Sequence, residues 1–305
     1  MGPPREHRQV HNRKLHEATQ ADLGSTLPAR HGVGYIVVPH TVITMRIHGL
    51  FEILKRFAAE TQALAGYSVR LAVRLIGRPF YVAETLDQMY FLGVGSLFLV
   101  VLTGIFAGQG LALQFSIELA EFGSKNYLGR VMVIAIVREL GPVLTGLMVA
   151  ARVAAGITAE IGSMKSSEQI DALVAFGVDP IRRLAVPRFW AILLMLPILT
   201  ICCDFVAIVG GWVIAVYIAH ISSTAYWTNI ISKLSLGNFV IGLGKPFLFA
   251  VIISTISTFM GFRTMGGTRG VGRSTTNSVV ACSITILFVN FLFTRLIVPQ
   301  LKGLL

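Results

Sequence analysis

Residues 91–115 read FLGVGSLFLVVLTGIFAGQGLALQF, a run without a single charged side chain. A transmembrane helix needs about 20 predominantly apolar residues. Four further apolar stretches reach this length, at residues 127–151, 189–219, 239–262 and 276–298. The sequence therefore predicts an all-α integral membrane protein with five transmembrane helices.

The composition agrees with a membrane protein. Hydrophobic residues make up 54% of the chain and charged residues 13%, whereas soluble domains carry about 25% charged residues. The net charge of +11 raises the question of nucleic-acid binding. The basic residues are not clustered with stacking aromatic side chains, so we expect no nucleic-acid partner.

The distribution of lysine and arginine predicts the orientation of the spans. Nineteen of these residues fall in segments on the side of the N-terminus and four on the opposite side. Cytoplasmic loops carry the excess of positive charge. We expect a cytoplasmic N-terminus and, because five spans are an odd number, a C-terminus on the opposite side.

Two segments precede the first span. Residues 1–45 contain no apolar core of a signal peptide, and their composition favours a disordered cytoplasmic tail. Residues 46–80 alternate apolar and basic positions at helical spacing. This pattern predicts an amphipathic helix lying in the cytoplasmic interface, with its arginines near phospholipid headgroups; an ordinary helix packed on a soluble domain is the alternative.

Four charged residues lie well inside the predicted spans: Arg138, Glu139, Asp204 and Lys245. Charges in the bilayer are costly and are functional candidates by default. Neighbours in sequence point about 100° apart on a helix and do not pair, so we expect Glu139 to pair with Lys245. A role in transport and a purely structural salt bridge are the two alternatives for this pair.

Gly141 and Pro142 follow this charged pair directly. Proline removes a backbone hydrogen bond and clashes with the preceding turn. We expect the second span to kink or break here, and broken helices at membrane depth line cavities or contact protein. The charges and the break together suggest a substrate path.

The second cytoplasmic loop predicts a short helix within residues 160–175. Ser166 and Gln169 resemble a capping box, Gly177 is placed to end the helix, and Pro180 stops its continuation. The apolar positions are Ile170, Leu173 and Val174. Such a helix suits docking into the groove of a partner; lying flat on lipid is the alternative, which its acidic residues disfavour.

No phosphate-binding loop of the form GxxxxGK[ST] occurs in the sequence. No metal-ligand cluster or nucleophilic triad is recognisable, and Cys202, Cys203 and Cys282 lie in apolar stretches as packing residues. We expect no cofactor and no catalytic site in this chain, so any ATPase is a separate subunit.

Several stretches resemble the MlaE/YrbE permeases, the membrane subunits of MCE-associated ABC lipid transporters. The matching stretches are Arg138-Glu139-Leu140-Gly141-Pro142-Val143, Ala151-Arg152-Val153, Ala159-Glu160-Ile161-Gly162-Ser163-Met164-Lys165, Glu168-Gln169-Ile170-Asp171-Ala172-Leu173, Val178-Asp179-Pro180-Ile181-Arg182-Arg183 and Pro187-Arg188-Phe189-Trp190-Ala191. The similarity covers roughly residues 46–300.

This resemblance implies a homodimeric permease with one interfacial helix and five spans, in a bacterial inner membrane. It implies a cytoplasmic ABC ATPase dimer that binds ATP and magnesium, a periplasmic MCE-domain ring and phospholipid as cargo, and it leaves a small STAS-domain subunit open. The implied lipid-cavity residues are Arg138, Glu139, Lys245, Ile105, Leu111 and Leu113. The implied ATPase-coupling residues are Glu160, Lys165, Glu168, Gln169, Ile170, Asp171 and Leu173.

The expected function is that of a permease subunit that moves phospholipid between the inner membrane and an MCE protein and so maintains outer-membrane lipid asymmetry. The main alternative is an ion-coupled secondary transporter that uses the carboxylates of Glu139 and Asp204. A third reading is a scaffold that does not transport.

Overall fold

The computed structural model describes residues 40–77, 81–234, 236–297 and 299–300. Most of the predicted tail, residues 1–39, lies outside the described residues, as do residues 78–80 of the predicted interfacial segment and its side chains at 46–54, 56 and 57. The compact unit discussed below is Ala58–Leu305.

The described chain is a succession of helices. The α-helices are α1 (His40–Leu75), α2 (Val82–Gln88), α3 (Gly95–Glu121), α4 (Leu128–Ala135), α5 (Gly141–Val149), α6 (Ala155–Ser166), α7 (Gln169–Ala175), α8 (Val186–Tyr217), α9 (Ser223–Lys233), α10 (Leu236–Phe262) and α11 (Gly267–Ile297). Three π-helical turns, Met89–Val94, Ile136–Leu140 and Ala150–Ala154, each join two consecutive helices directly. A fourth, Ile181–Ala185, precedes α8, and a 3₁₀ turn at Lys125–Tyr127 precedes α4.

Five continuous helical stretches are long and apolar enough to cross a membrane, as the sequence predicts. They are Val82–Glu121, Lys125–Ser166, Ile181–Tyr217, Gly237–Phe262 and Gly267–Ile297, and we refer to them as the first to fifth spans. The first and second spans, of 40 and 42 residues, are much longer than the predicted stretches 91–115 and 127–151, because their helices continue past the apolar segment. Arg152 and Lys165, predicted in a loop, therefore lie on the helix of the second span.

The first span packs along the third through small residues. On α3 the buried positions recur every four residues, at Ser96, Val100, Gly104, Gly108, Ala112 and Ser116. A Cβ atom at Gly108 would meet the backbone of Ala207 on α8, and one at Gly210 would meet the backbone of Ile105. Small residues let helix backbones approach closely, and dispersion contacts then stabilise the pair in lipid.

The C-terminal half of α1 packs on the rest of the permease unit. Tyr67 and Leu71 are buried and contact a cluster that includes Phe189 and Phe259. The hydroxyl of Tyr67 donates a hydrogen bond of 2.9 Å to Oγ1 of Thr258 on the fourth span. Arg74 forms an ion pair with Asp179 in the segment after α7. This helix is thus tied both to a span and to the segment that joins the second and third spans.

Candidate functional site: a polar cluster inside the spans

The side chain of Lys245 is the centre of a polar cluster within the membrane-spanning bundle. It is 0% exposed. Its Nζ donates to Oε2 of Glu139 at 2.8 Å, to the carbonyl oxygen of Arg138 at 2.7 Å and to Oγ1 of Thr294 at 3.0 Å. An ammonium has three donors, so each donor has one acceptor. The predicted pair of Glu139 with Lys245 is confirmed.

Glu139 is less enclosed than its partner. Its side chain retains 39% exposure, and the hydroxyl of Thr294 lies 3.1 Å from Oε1. The second, fourth and fifth spans each contribute one side chain to this contact. Because Thr294 can accept from Lys245 and donate to Glu139, it bridges the two charges and fixes their geometry.

The sequence predicts a kink or a break at Pro142; the break is absent, and the kink stays a prediction. The helix continues through a π turn at Ile136–Leu140 into α5, where Pro142 stands in the first turn. Proline has no N–H, so the Arg138 carbonyl, four residues earlier, receives no α-helical hydrogen bond from it. That carbonyl accepts the Lys245 ammonium instead, and a wide turn takes the place of a break.

The guanidinium of Arg138 differs from the other charges of the cluster. The residue is half-buried, and within the described part of the chain its side chain has no hydrogen-bond or ion-pair partner. An Arg side chain has five N–H donors in a planar fork that matches carboxylate and phosphate. The site therefore presents one unused cation beside a fully satisfied one.

Asp204, the fourth predicted intramembrane charge, belongs to the third span. It packs against this same turn of the second span. Its Oδ1 occupies the space where a Cβ atom of Gly141 would be. This oxygen is buried and has no hydrogen-bond partner among the described residues. All four intramembrane charges thus gather around the segment from Arg138 to Gly141.

The predicted apolar part of the cavity lies on a different helix. Ile105, Leu111 and Leu113 belong to α3. Leu111 packs against a buried cluster that includes Met132 and Ala207, and Leu113 is 42% exposed. These residues lie on the first span, whereas the Lys245 cluster joins the second, fourth and fifth, and their role in a cavity stays a prediction.

Residues 160–175 do not form one helix. The second span runs on as α6 to Ser166, Glu168 then adopts a left-handed conformation with φ of 59°, and α7 begins at Gln169. The predicted capping box is wrong: the residue before α7 is Glu168, which makes no side-chain cap, and the left-handed residue redirects the backbone before Gln169.

The end of α7 is as predicted. Gly177 has φ of +73°; its N–H donates to the carbonyl of Val174, and the N–H of Val178 donates to that of Leu173. These two bonds are those of a Schellman motif, which requires a left-handed residue after the helix. Glycine adopts that conformation without steric penalty.

The predicted coupling residues divide into anchors and exposed positions. Ile170 is buried, and Leu173 packs against the same core. Glu160 pairs with Arg188 at 2.7 Å, and Lys165 pairs with Asp171 at 2.8 Å, so these charges have partners within the chain. Glu168, Gln169 and Asp171 are exposed.

Phe176 is the exposed apolar residue of this segment that the sequence reasoning missed. It is 83% exposed, and Val174 beside it is 58% exposed. Phe176 follows the last helical residue, so it falls outside the periodic stripe by which Ile170 and Leu173 are recognised. A large aromatic side chain directly before a helix-ending glycine was the available signal.

The residues that the structure describes include no group of three or more His, Cys, Asp or Glu side chains placed to hold a metal ion.

Comparison with known proteins agrees with these features. Residues 85–296 match the family described as Permease MlaE. A probable ABC transporter permease protein of Rickettsia typhi is 40% identical over 242 residues, which cover 79% of this chain and 93% of the relative. The intermembrane phospholipid transport system permease protein MlaE of Haemophilus influenzae is 35% identical over 239 residues, covering 77% and 92%. A probable ABC transporter permease protein of Synechocystis is 38% identical over 213 residues, covering 70% and 81%.

Proposed function

Since the chain belongs to the MlaE family of ABC transporter permeases, we propose that it is the membrane subunit of an ATP-driven phospholipid transporter. It moves phospholipid between the inner membrane and a periplasmic MCE-domain ring, and so maintains the lipid asymmetry of the outer membrane. The name of the Haemophilus influenzae relative, an intermembrane phospholipid transport system permease protein, supports phospholipid as the cargo.

The observation that carries this proposal is the unused guanidinium of Arg138 beside the buried Lys245 pair. Lys245 has all its acceptors within the chain, so it is a fixed positive charge that orients Glu139. Arg138 keeps its donors free within the described residues. A phosphodiester is the anion that an arginine fork binds through two parallel hydrogen bonds, and in a bilayer it is carried by phospholipid.

The acyl chains require apolar surface next to this polar group. Two copies of the chain would supply it at their interface, with Ile105, Leu111 and Leu113 among its lining. The fifth span supports a second copy, because only 11% of its most apolar window is buried within a single chain. The headgroup would then lie near Arg138, with the acyl chains between the two copies.

The energy for transport enters through residues 160–175. We infer that a cytoplasmic ATPase dimer, with its own ATP and magnesium, docks on α7 and the exposed side chains of Val174 and Phe176. Ile170 and the Lys165–Asp171 pair hold this surface on the second span, so a push on α7 reaches the helix that carries Arg138 and Glu139. A STAS-domain subunit would bind the ATPase rather than this chain.

The first experiment tests the ATPase partner. The tagged permease is purified from its native membrane, and the ATPase that accompanies it is quantified. We expect Asp171→Lys to release the ATPase, since it reverses an exposed charge and breaks the pair with Lys165. The matched control is Glu118→Gln, an exposed carboxylate on the first span. An ion-coupled transporter would instead carry lipid without any ATPase, and that result would overturn the proposal.

The second experiment tests transport against a scaffold role. Reconstituted complexes carrying Glu139→Ala together with Lys245→Ala are assayed for ATP-dependent lipid transfer to the MCE protein. The double variant removes both members of the pair, so neither substitution leaves the other charge buried without its partner. We expect assembly to persist and transfer to be lost; undiminished transfer would contradict the proposed lipid site.

A further inference from the structure

Asp204 is a carboxylate inside the third span with no assigned role. It lies near the middle of α8 (Val186–Tyr217), and its Oδ1 is buried without a partner among the described residues. The residue as a whole is only partly buried, and its helical neighbours Ile201 and Phe205 are 42% and 64% exposed. Asp204 thus stands at the border between the α5–α8 contact and the open face of α8.

The absence of a side chain at Gly141 makes this position possible. A methyl group at Gly141 would collide with the carboxylate of Asp204. Gly141 faces Asp204 on the third span, and Glu139, two residues earlier, faces Lys245 on the fourth. On a helix with about 100° per residue, Arg138 projects between these two directions. The side chains of Asp204, Arg138 and Glu139 therefore follow one another around a single turn.

The charges of this turn are unequally satisfied. Lys245 and Glu139 neutralise each other at 2.8 Å. Asp204 and Arg138 carry opposite charges, yet neither has an ion-pair partner within the described chain. A charged Asp or Arg near the centre of a membrane helix is costly unless a partner compensates it. A ligand that brings one anion and one cation would compensate both at once.

We propose that Asp204 binds the primary ammonium of a zwitterionic aminophospholipid whose phosphate is bound by Arg138. Two methylene groups separate phosphate and ammonium in an ethanolamine headgroup. This short spacing suits Arg138 on the second span and Asp204, which packs against the same turn from the third span. The ammonium donates a charge-assisted hydrogen bond to the carboxylate. This inference rests on the proposed function and adds selectivity: the site prefers phosphatidylethanolamine to phosphatidylglycerol, which has the same phosphate but no cation.

The test is a lipid competition on the intact complex. The purified permease–ATPase complex is delipidated, equilibrated with equal amounts of phosphatidylethanolamine and phosphatidylglycerol of identical acyl chains, and its bound lipids are measured by native mass spectrometry. We expect the wild type to prefer the aminophospholipid roughly tenfold, the size of one charge-assisted hydrogen bond. Asp204→Asn should reduce the ratio to about one while leaving phosphatidylglycerol bound.

Three further variants separate the possible outcomes. Asp204→Glu keeps the charge and should keep the preference; Glu118→Gln removes an exposed carboxylate elsewhere and should change nothing. Arg138→Gln should weaken both lipids alike. Melting temperatures of all variants identify any that fail to fold; if Asp204→Asn fails to fold, Asp204→Ser removes the charge in its place and should show the same loss of preference.

An unchanged ratio in Asp204→Asn, or an equal loss of both lipids, overturns the ammonium site and leaves the proposed function standing. A wild-type complex that binds neither lipid overturns the proposed function itself. A preference that follows the charge of Asp204 supports the inference.

Discussion

The ammonium of Lys245 lies 2.7 Å from the carbonyl oxygen of Arg138, which is the carbonyl that Pro142 cannot serve. A missing N–H in the second span is thus matched by a side-chain donor from the fourth. The π turn, the proline and the buried lysine form one unit. This unit fixes the direction of Arg138 and Glu139 relative to the fourth span.

Removing the lysine alone should destabilise the fold. Lys245→Met leaves the Glu139 carboxylate and the Arg138 carbonyl without their donor. The loss should be about 3 kcal/mol, the lower end for breaking a buried pair, because Glu139 keeps some exposure. Thermal unfolding in detergent measures it. Adding Glu139→Gln should restore part of the loss; a double variant as unstable as the single one would contradict the pairing.

Restoring the backbone donor should affect transport more than stability. Pro142→Ala supplies an N–H that competes with Lys245 for the Arg138 carbonyl, so we expect a several-fold loss of lipid transfer, the effect of about 1 kcal/mol. The melting temperature should be unchanged or higher, since proline disfavours helix interiors. Pro197→Ala, also within a span, is the control. Equal effects of both substitutions on transfer would refute the role of the turn.

The exposed side chain of Phe176 should matter for the partner and not for the fold. Phe176→Ala should reduce the ATPase that co-purifies, with little change in melting temperature, because the ring is 83% exposed. Ile170→Ala should mainly affect the fold instead. It should lower the free energy of unfolding by about 2–5 kcal/mol, as truncations of buried aliphatic side chains do. If Phe176→Ala retained the full amount of ATPase, the docking surface would have to lie elsewhere.

Substitution by alanine should destabilise the protein at one glycine of the first span and not at another. Gly108→Ala places a Cβ atom against the backbone of Ala207, whereas Gly110→Ala meets nothing within 4 Å. Overpacking a close helix contact costs about 1–3 kcal/mol, so only the first variant should unfold earlier. Thermal unfolding of the two proteins checks this, and equal stability would mean that the spans do not approach as described.

The buried phenol of Tyr67 should make the stability of the protein depend on pH in the alkaline range. Burial raises the pKa of the Tyr67 phenol, while its bond to Thr258 acts in the opposite direction. The unfolded phenol ionises near pH 10, so its stabilisation is full below that pH and is lost as pH rises further. The melting-temperature difference between wild type and Tyr67→Phe should shrink above about pH 10. A difference that stays constant would contradict it.

The polar cluster could be predicted in part because charge within an apolar span is conspicuous. The sequence favours the pair of Glu139 with Lys245, because Arg138 and Glu139 are neighbours on one helix and their side chains point in different directions. Thr294 escaped prediction because a threonine in a span ordinarily bonds its own helix, as Thr285 does with Ala281. The Arg138 carbonyl escaped because backbone acceptors carry no sequence signal of their own.

The helix boundaries were the weaker part of the sequence reading. Apolar content marks the membrane-embedded part of a helix and does not indicate whether the helix continues into water. The sequence therefore predicts a loop at Arg152 and Lys165, where the helix of the second span continues. Glu168 interrupts the segment between the second and third spans with a left-handed conformation that non-glycine residues rarely adopt. A capping-box motif therefore suggested a helix start where the chain is still within the preceding helix.

The three partners of the Lys245 ammonium also have an order in time. Arg138 and Glu139 leave the ribosome before Lys245, and Thr294 leaves after it. We expect the fourth span, which carries a costly cation, to enter the bilayer beside acceptors that are already inserted. The fifth span follows the fourth, and the hydroxyl of Thr294 then completes the coordination of the ammonium.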